Sequence, residues 1–270
     1  FNPRTDAPDF VEVYNNSDKY IDLQHWMLAN KNNDGEVDNH KFIIERPFTF
    51  TPKSYLVLTK DPLTLGNEYP QGIVSTFLEL SSIPTYANDA GSVVLLQPDS
   101  SVFEVFDYDE DYHHQLLNSV DGISLERISF ESITNDPNSW HSAASTVLAT
   151  PGYLNSQSKN SVAADDNVIT ISPAVFIPDQ NGLNDFATIH YEFDTPGYVV
   201  GVHVIDDKGR LIKTIIENET LPLSGDLKWD GTMQDGRKAR IGAYLVYVEA
   251  FDMAGNVKKY RERVVVGSEW

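Results

Sequence analysis

Cysteine is absent from this 270-residue chain. Disulfide bonds, thiolate metal sites and cysteine nucleophiles are therefore excluded, although this absence does not define the cellular compartment. The sequence also lacks a run of about 20 consecutive apolar residues, the length that a membrane-spanning helix needs, so we expect no membrane span in this segment. Helical periodicity is nearly absent too, which indicates that strands supply most of the regular structure.

Basic residues are scarce. The chain has 20 Lys and Arg against 40 Asp and Glu, a net charge of −20. Residues 1–157 contain 8 basic and 23 acidic residues (−15), and residues 158–270 contain 12 and 17 (−5). Such a surface repels polyanions, so we expect no nucleic-acid partner and no anionic membrane partner. Divalent cations and neutral polymers such as glycans stay compatible with this charge.

Short runs of β-branched and aromatic residues are separated by turn dipeptides such as Asn181-Gly182 and Asp230-Gly231. Strands this short and this evenly spaced predict an all-β protein built from β-sandwiches rather than from parallel βαβ units. The predicted strands are 10–14, 20–23, 40–44, 55–59, 92–96, 102–108, 124–128, 168–171, 187–193, 199–206, 211–216, 226–229, 242–251 and 258–266.

The stretch 156–167 is small, polar and free of large apolar side chains. It can contribute little to a hydrophobic core, which is typical of a linker. We therefore predict one domain at residues 1–157, a linker at 158–170 and a second domain at 171–270.

The first domain contains a series of segments in a defined order. It opens with FVEVYNNSDKYIDLQHW (10–26), and YLVLTKD (55–61), NDAGSVVLL (88–96), VFEVFDY (102–108), GISLERI (122–128), SWHSA (139–143) and TPGYLNS (150–156) follow. This series resembles the lamin-tail domain over residues 1–156. The resemblance implies an immunoglobulin-like β-sandwich of a kind found in bacterial secreted and surface proteins. It also implies that Glu12 belongs to a structural strand with no chemistry attached.

The lamin-tail family begins with a strand ahead of an Asn-Pro turn. Only Phe1 precedes Asn2-Pro3 in this chain, so the resemblance implies a first strand that is partly missing. We expect an exported protein, and a signal peptide or lipid anchor would lie upstream of Phe1.

The second domain contains SPAVFIPDQNGLNDFATIHYEF, then VHVIDDKGRLIKTI, then the series WDG, DG, GAYLVYVEA and GN. This order resembles the immunoglobulin-like domain of flagellar hook-capping proteins and the C-terminal sandwich of gliding-motility proteins, over residues 172–270. The resemblance implies a surface module, and its core must hold without a disulfide. Together the two resemblances imply an all-β protein with two immunoglobulin-like β-sandwich domains in tandem.

Two loops contain candidate metal ligands. Oxygen-bearing side chains at Asp179, Asn181, Asn184 and Asp185 could enclose calcium, or they could cap backbone donors as ordinary turn residues. A second cluster, Asp109, Asp111, His113 and His114, could bind a transition metal adventitiously, or it could form a solvated acidic loop. Calcium is the one cofactor that the sequence suggests.

Motifs of a serine hydrolase elbow, a phosphate-binding loop, a zinc protease and a nicotinamide site are all absent. We therefore expect non-catalytic binding or spacer modules of a larger bacterial protein, located in the periplasm, at the outer surface or outside the cell. The expected partner is a protein or a glycan, and the expected state is a monomer. Two alternatives stay open: a carbohydrate-binding accessory module, and a hydrolase whose two carboxylates meet only in the folded protein.

Overall fold

The structure is a computed structural model that describes residues 3–4, 7–159 and 168–268. Over these residues the chain is built from β-strands with one short helix, α1 (Pro62–Glu68), and three single 3₁₀ turns. The predicted all-β class is therefore confirmed. No helix in this described part is long and apolar enough to cross a membrane.

The chain divides into two compact units. Unit 1 comprises the residues up to Gln115 together with Ser119–Ser158, and unit 2 comprises Leu116–Asn118 together with the residues from Lys159 onwards. Most of the predicted linker and the predicted remnant of a first strand, Phe1, lie outside the described residues.

Unit 1 contains eleven strands in the described residues, arranged in four sheets. The sheet orders are β1-β6-β7, β4-β3-β8-β9, β10-β11 and β2-β5. The strands are β1 (Phe10–Tyr14), β2 (Ile21–Asp22), β3 (Met27–Lys31), β4 (Val37–Phe42), β5 (Thr49–Phe50), β6 (Tyr55–Thr59), β7 (Phe77–Glu79), β8 (Ala90–Leu96), β9 (Val102–Asp109), β10 (Leu125–Arg127) and β11 (Trp140–Ser142).

Alternation along β1 separates two environments in unit 1. Val11 and Val13 pack against the apolar cluster that contains Leu56 and Leu58 of the neighbouring strand β6. Phe10 points to the other face, where its ring meets Tyr69 edge-on at 5.9 Å between centroids. Since side chains alternate with a period of two, Glu12 and Tyr14 share the face of Phe10.

Unit 2 contains a three-stranded sheet, β12-β14-β17, and a five-stranded sheet, β13-β19-β18-β15-β16. Its strands are β12 (Val168–Ser172), β13 (Val175–Phe176), β14 (Ala187–Glu192), β15 (Val199–Asp206), β16 (Leu211–Thr220), β17 (Ser224–Trp229), β18 (Gly242–Phe251) and β19 (Val257–Val266). Strand β12 begins at Val168, inside the segment predicted as linker, because its register with β14 continues to that residue.

Trp229 lies at the centre of the unit 2 core, with 1% of its surface exposed. Its ring meets Phe176 and Tyr244 edge-on, at centroid distances of 5.3 and 5.1 Å. Its indole N–H donates to the carbonyl of Thr232 at 2.9 Å, so the buried polar atom is satisfied. Aromatic packing of this kind holds the core without a disulfide.

Candidate functional site

Unit 1 contains a cleft of about 320 Å³ that is bordered by strand edges. Strand β1 is the outer strand of its sheet, and so are β9 and β10 in theirs. Every residue from Pro8 to Tyr14 and every residue from Gly122 to Arg127 lines the cleft. An unbroken run of lining residues along β1 and β10 means that backbone as well as side chains borders the space.

Glu12, in the middle of β1, contributes a carboxyl group to this cleft. The backbone N–H of Gly152 donates to Glu12 Oε2 at 2.6 Å. Burial raises the pKa of Glu12 to about 8, the bond from Gly152 opposes the rise, and the nearby carboxyl of Glu126 adds to it. Part of the Glu12 side chain stays accessible to solvent, and this part lines the cleft. Glu12 is therefore mainly a neutral acid at pH 7.

Glu126 is a second acid at the cleft, and it is buried, with 3% of its surface exposed. Its Oε1 accepts a hydrogen bond from Thr150 Oγ1 at 2.6 Å, and its Oε2 accepts bonds from Ser156 Oγ at 2.7 Å and Gln157 N at 3.1 Å. Burial raises the pKa of Glu126, and these hydrogen bonds lower it in part. The carboxyl group therefore fixes both ends of the segment 150–157.

Gly152 explains why the TPGYLNS segment fits here. Its φ is +91°, a left-handed conformation that side chains disfavour, and a Cβ at this position would collide with Thr76 Oγ1. The glycine therefore allows the close backbone approach that places its N–H on Glu12.

Aromatic rings form much of the cleft wall. Tyr14 stacks on Phe130 at 4.1 Å between centroids and lies 4.6 Å from Tyr55. Phe106 stacks on Trp140 at 3.7 Å. Burial and, to a lesser extent, the charge of Glu12 raise the pKa of Tyr55, so this phenol stays protonated.

Among the residues that the structure describes, Arg127 is the one cation that lines the cleft, and its charge is already compensated. Its guanidinium lies 3.3 Å from the carboxylate of Glu104 and also donates to the carbonyl of Ser132. Thr134 Oγ1 donates to the same Glu104 carboxylate. With Asp9, Glu12, Glu104 and Glu126 as the acids and Arg127 as the base, the lining is acidic.

The acidic loop predicted as an adventitious metal site has other contacts. Asp109 Oδ1 accepts from the N–H of Asp111 at 2.9 Å and so caps a 3₁₀ turn. Ser142 Oγ lies 2.9 Å from His113 Nδ1 and accepts from the N–H of His114 at 3.2 Å. Burial lowers the pKa of His113 to about 4, so this ring is neutral.

The loop predicted for calcium is closed by its own hydrogen bonds. The carboxylate of Asp185 accepts three backbone N–H groups, from Gln180, Asn181 and Gly182, at 2.6 to 3.2 Å. The carboxylate of Asp179 accepts from the backbone and the side-chain amide of Asn181. Asn184, the remaining candidate, adopts a left-handed φ of 54°, which Asn tolerates in turns.

Within residues 3–4, 7–159 and 168–268, no group of three or more His, Asp or Glu side chains is arranged to hold a metal ion. Metal binding by either loop stays a prediction.

The turn interpretation of loop 179–185 predicts the same melting temperature in millimolar calcium and in excess chelator. The reason is that the carboxylate oxygens of Asp179 and Asp185 already accept hydrogen bonds within the loop. A calcium-dependent rise in melting temperature would establish the cation site instead, since a ligand of the folded state must stabilise it.

Sequence reasoning set Glu12 aside as structural and did not single out Glu126. A signal for both was present, because each acid lies inside a predicted strand that is otherwise mostly apolar, FVEVY and GISLERI. Alternation alone could not show that the two side chains converge, since they belong to different sheets.

No protein-family model and no curated protein matches the chain. Solved structures show weak similarity to the chain, among them the following three. Dimeric latent PorU from Porphyromonas gingivalis is 13% identical over 96% of this chain and 18% of its own, with a TM-score of 0.30. PorZ, a surface component of the type IX secretion system of that bacterium, is 18% identical over 66% of this chain and 21% of its own (TM-score 0.28). CopC from Methylosinus trichosporium OB3b is 14% identical over 38% of this chain and 96% of its own (TM-score 0.27). Similarity this low assigns no function.

Proposed function

We propose that this chain is a non-catalytic pair of β modules from a larger exported bacterial protein, and that it acts as a binding or spacer segment. The observation that supports this most directly is that the two acids at the cleft, Glu12 and Glu126, hold segment 150–157 by hydrogen bonds. Glu126 accepts three hydrogen bonds from segment 150–157, and Glu12 accepts one more from it. These bonds attach a segment to the sandwich, which is a structural task. The identification of a lamin-tail domain and a hook-capping-type domain belongs to the same proposal.

The carbohydrate-binding alternative is disfavoured by the exposed aromatic pairs of unit 1. Phe103 is 58% exposed and Phe42 is 45% exposed. Phe103 meets Trp26 at 72° between ring planes, and Phe42 meets His25 at 59°. Sugar rings stack on flat aromatic faces, and neither pair forms a coplanar platform.

The hydrolase alternative rests on the two carboxyl groups at the cleft. An acid with a raised pKa, such as Glu12, is suited to protonate a leaving group. However, both oxygens of Glu126 already accept hydrogen bonds, which leaves this residue poorly placed as a nucleophile or base. Catalysis is therefore the less favoured function.

A turnover assay tests the non-catalytic assignment. We expect the purified chain to hydrolyse chromogenic glycosides, esters and phosphates no faster than buffer does. A rate above buffer that is lost in both Glu12→Gln and Glu126→Gln would establish a hydrolase and overturn the proposal.

Cell fractionation tests the proposed location. In the source bacterium we expect the protein in the periplasm, at the outer surface or in the medium. Recovery in the cytosolic fraction, with a cytosolic marker enzyme as control, would contradict export.

A further inference from the structure

Among the residues that the structure describes, no strand pairs with β1 on the side away from β6, and this edge borders the cleft of unit 1. Asn15 N donates to the carbonyl of Ser54 at 3.0 Å in the continuation of the β1–β6 pairing. Because bonded and outward-facing residues alternate along an antiparallel strand, Val11 and Val13 bond β6. The N–H and C=O groups of Phe10, Glu12 and Tyr14 consequently face away from β6, towards the free edge.

A similar edge borders the cleft at β10. Ala143 N donates to the carbonyl of Ser124 at 2.9 Å, and Ile128 N donates to Ser139 at 2.9 Å. By the same alternation Glu126 bonds β11, while the backbone of Leu125 faces outward. The outward-facing carbonyl of Arg127, however, already accepts a hydrogen bond from Asn155 Nδ2 at 2.9 Å. Among the residues that the structure describes, β1 therefore offers the longer free strand edge at this cleft.

Side chains around β1 differ between its two faces. On one face, Val11 and Val13 join an apolar cluster that includes Val93 and Leu95, all of which line the cleft. The other face carries Glu12. Only Oε2 of that carboxyl accepts a hydrogen bond from the described residues, from Gly152. Oδ1 of Asp9, another cleft residue, is buried with no hydrogen-bond partner among the residues that the structure describes.

We propose that this cleft binds an extended peptide strand, which adds to the edge of β1 and carries apolar side chains on one face and a basic side chain beside Glu12 on the other. Backbone hydrogen bonds to Phe10, Glu12 and Tyr14 would supply affinity, and the alternating pockets would supply specificity, as in other cases of strand addition. The acidic lining favours a basic residue over an acidic one. The inference deepens the proposed binding role and rests on it.

Hydrogen exchange with a defined peptide tests the proposal. The probe is Val-Thr-Ile-Lys-Val-Thr-Val with blocked termini, and its matched control has the same side chains but N-methyl groups at alternate positions. We expect the probe to slow exchange of the Phe10, Glu12 and Tyr14 amides at least about tenfold, the effect of about 1.4 kcal/mol of protection. The amides of Val11 and Val13 already bond β6 and serve as internal controls. N-methylation removes backbone donors, so the control peptide should not bind.

Glu12→Gln tests the charge contact separately. At pH 9, above the pKa of Glu12, we expect this variant to bind the lysine peptide about tenfold more weakly, because the lysine ammonium then loses an ionised carboxylate partner. Its affinity for the same peptide with norleucine in place of lysine should stay unchanged. Glu79→Gln, a substitution at an exposed carboxyl outside the cleft, should bind both peptides as the native chain does.

Equal binding of the N-methylated peptide, or unchanged exchange at all three outward-facing amides, would overturn the proposal. Saturable binding of benzyltrimethylammonium with no peptide binding would show a small-cation site instead and would also overturn it. Slowed exchange of the same amides in a concentration-dependent dimer would identify a second copy as the occupant. These outcomes are distinct from turnover and from cytosolic recovery, which test the proposed function.

Discussion

We expect Glu126→Ala to lower the free energy of unfolding of unit 1 by about 3 kcal/mol or more. The substitution removes the acceptor of three hydrogen bonds, from Thr150, Ser156 and Gln157. The two hydroxyl groups can rotate towards other acceptors, but the backbone N–H of Gln157, a residue with no exposed surface, cannot. A buried donor without a partner costs about 1–3 kcal/mol, and the lost packing adds to this.

The measurement is urea unfolding followed by tryptophan fluorescence. Trp26 and Trp140 lie in unit 1, and Trp229 lies in unit 2, so a native-like unit 2 transition provides an internal reference. Glu126→Gln keeps the shape and one carbonyl acceptor, and it should fall between the native chain and the alanine variant. Glu131→Ala removes an exposed carboxyl from the same region and should change stability by less than about 0.5 kcal/mol. Equal losses in Glu126→Ala and Glu131→Ala would contradict the role of Glu126.

Glu12→Gln should stabilise the protein above pH 5, and the gain should grow with pH. The pKa of Glu12 is raised from 4.5 to about 8. Between these values the unfolded chain has lost the proton and the folded chain retains it. The folded state then binds more protons, so stability falls as pH rises, by up to about 1.4 kcal/mol per pH unit. This loss begins at the unfolded pKa and is complete above the folded pKa.

Glutamine keeps a carbonyl acceptor for Gly152 N but cannot ionise. We therefore expect the variant and the native chain to have similar stability near pH 4, and the variant to be more stable by about 2–3 kcal/mol near pH 7. Denaturant unfolding at a series of pH values measures the difference, and Glu79→Gln controls for loss of an exposed negative charge. A stability difference that does not change with pH would show that Glu12 titrates normally in the folded protein.

Strands with strong local patterns were predictable to the residue. The predicted ranges 10–14, 55–59, 199–206 and 242–251 match β1, β6, β15 and β18. In β18, every second residue from Tyr244 to Ala250 is buried. The sequence of this strand is nevertheless apolar on both faces for much of its length. The local signal for these strands is therefore a short run of β-branched and aromatic residues, which can be seen without knowledge of the partner strands.

Other elements were missed because their cause is not local. Strands β5, β7, β11 and β13 have two or three residues each, too few for any period to show, and pairing with distant strands defines them. Strand β3, MLANK, has three buried residues in succession rather than an alternating pattern. Helix α1 did have a local signal, because Asp61 caps it and Pro62 occupies its first turn.

The sequence by itself determined the all-β class, the acidic composition, the absence of thiol chemistry and the positions of the strands that are clear runs of β-branched and aromatic residues. These properties follow from composition and local periodicity. Only the tertiary structure decided that Glu12 and Glu126 meet at one cleft and that both hold segment 150–157. The reason is that desolvation, hydrogen bonding and free strand edges depend on which distant segments surround a residue, and no local pattern encodes those neighbours.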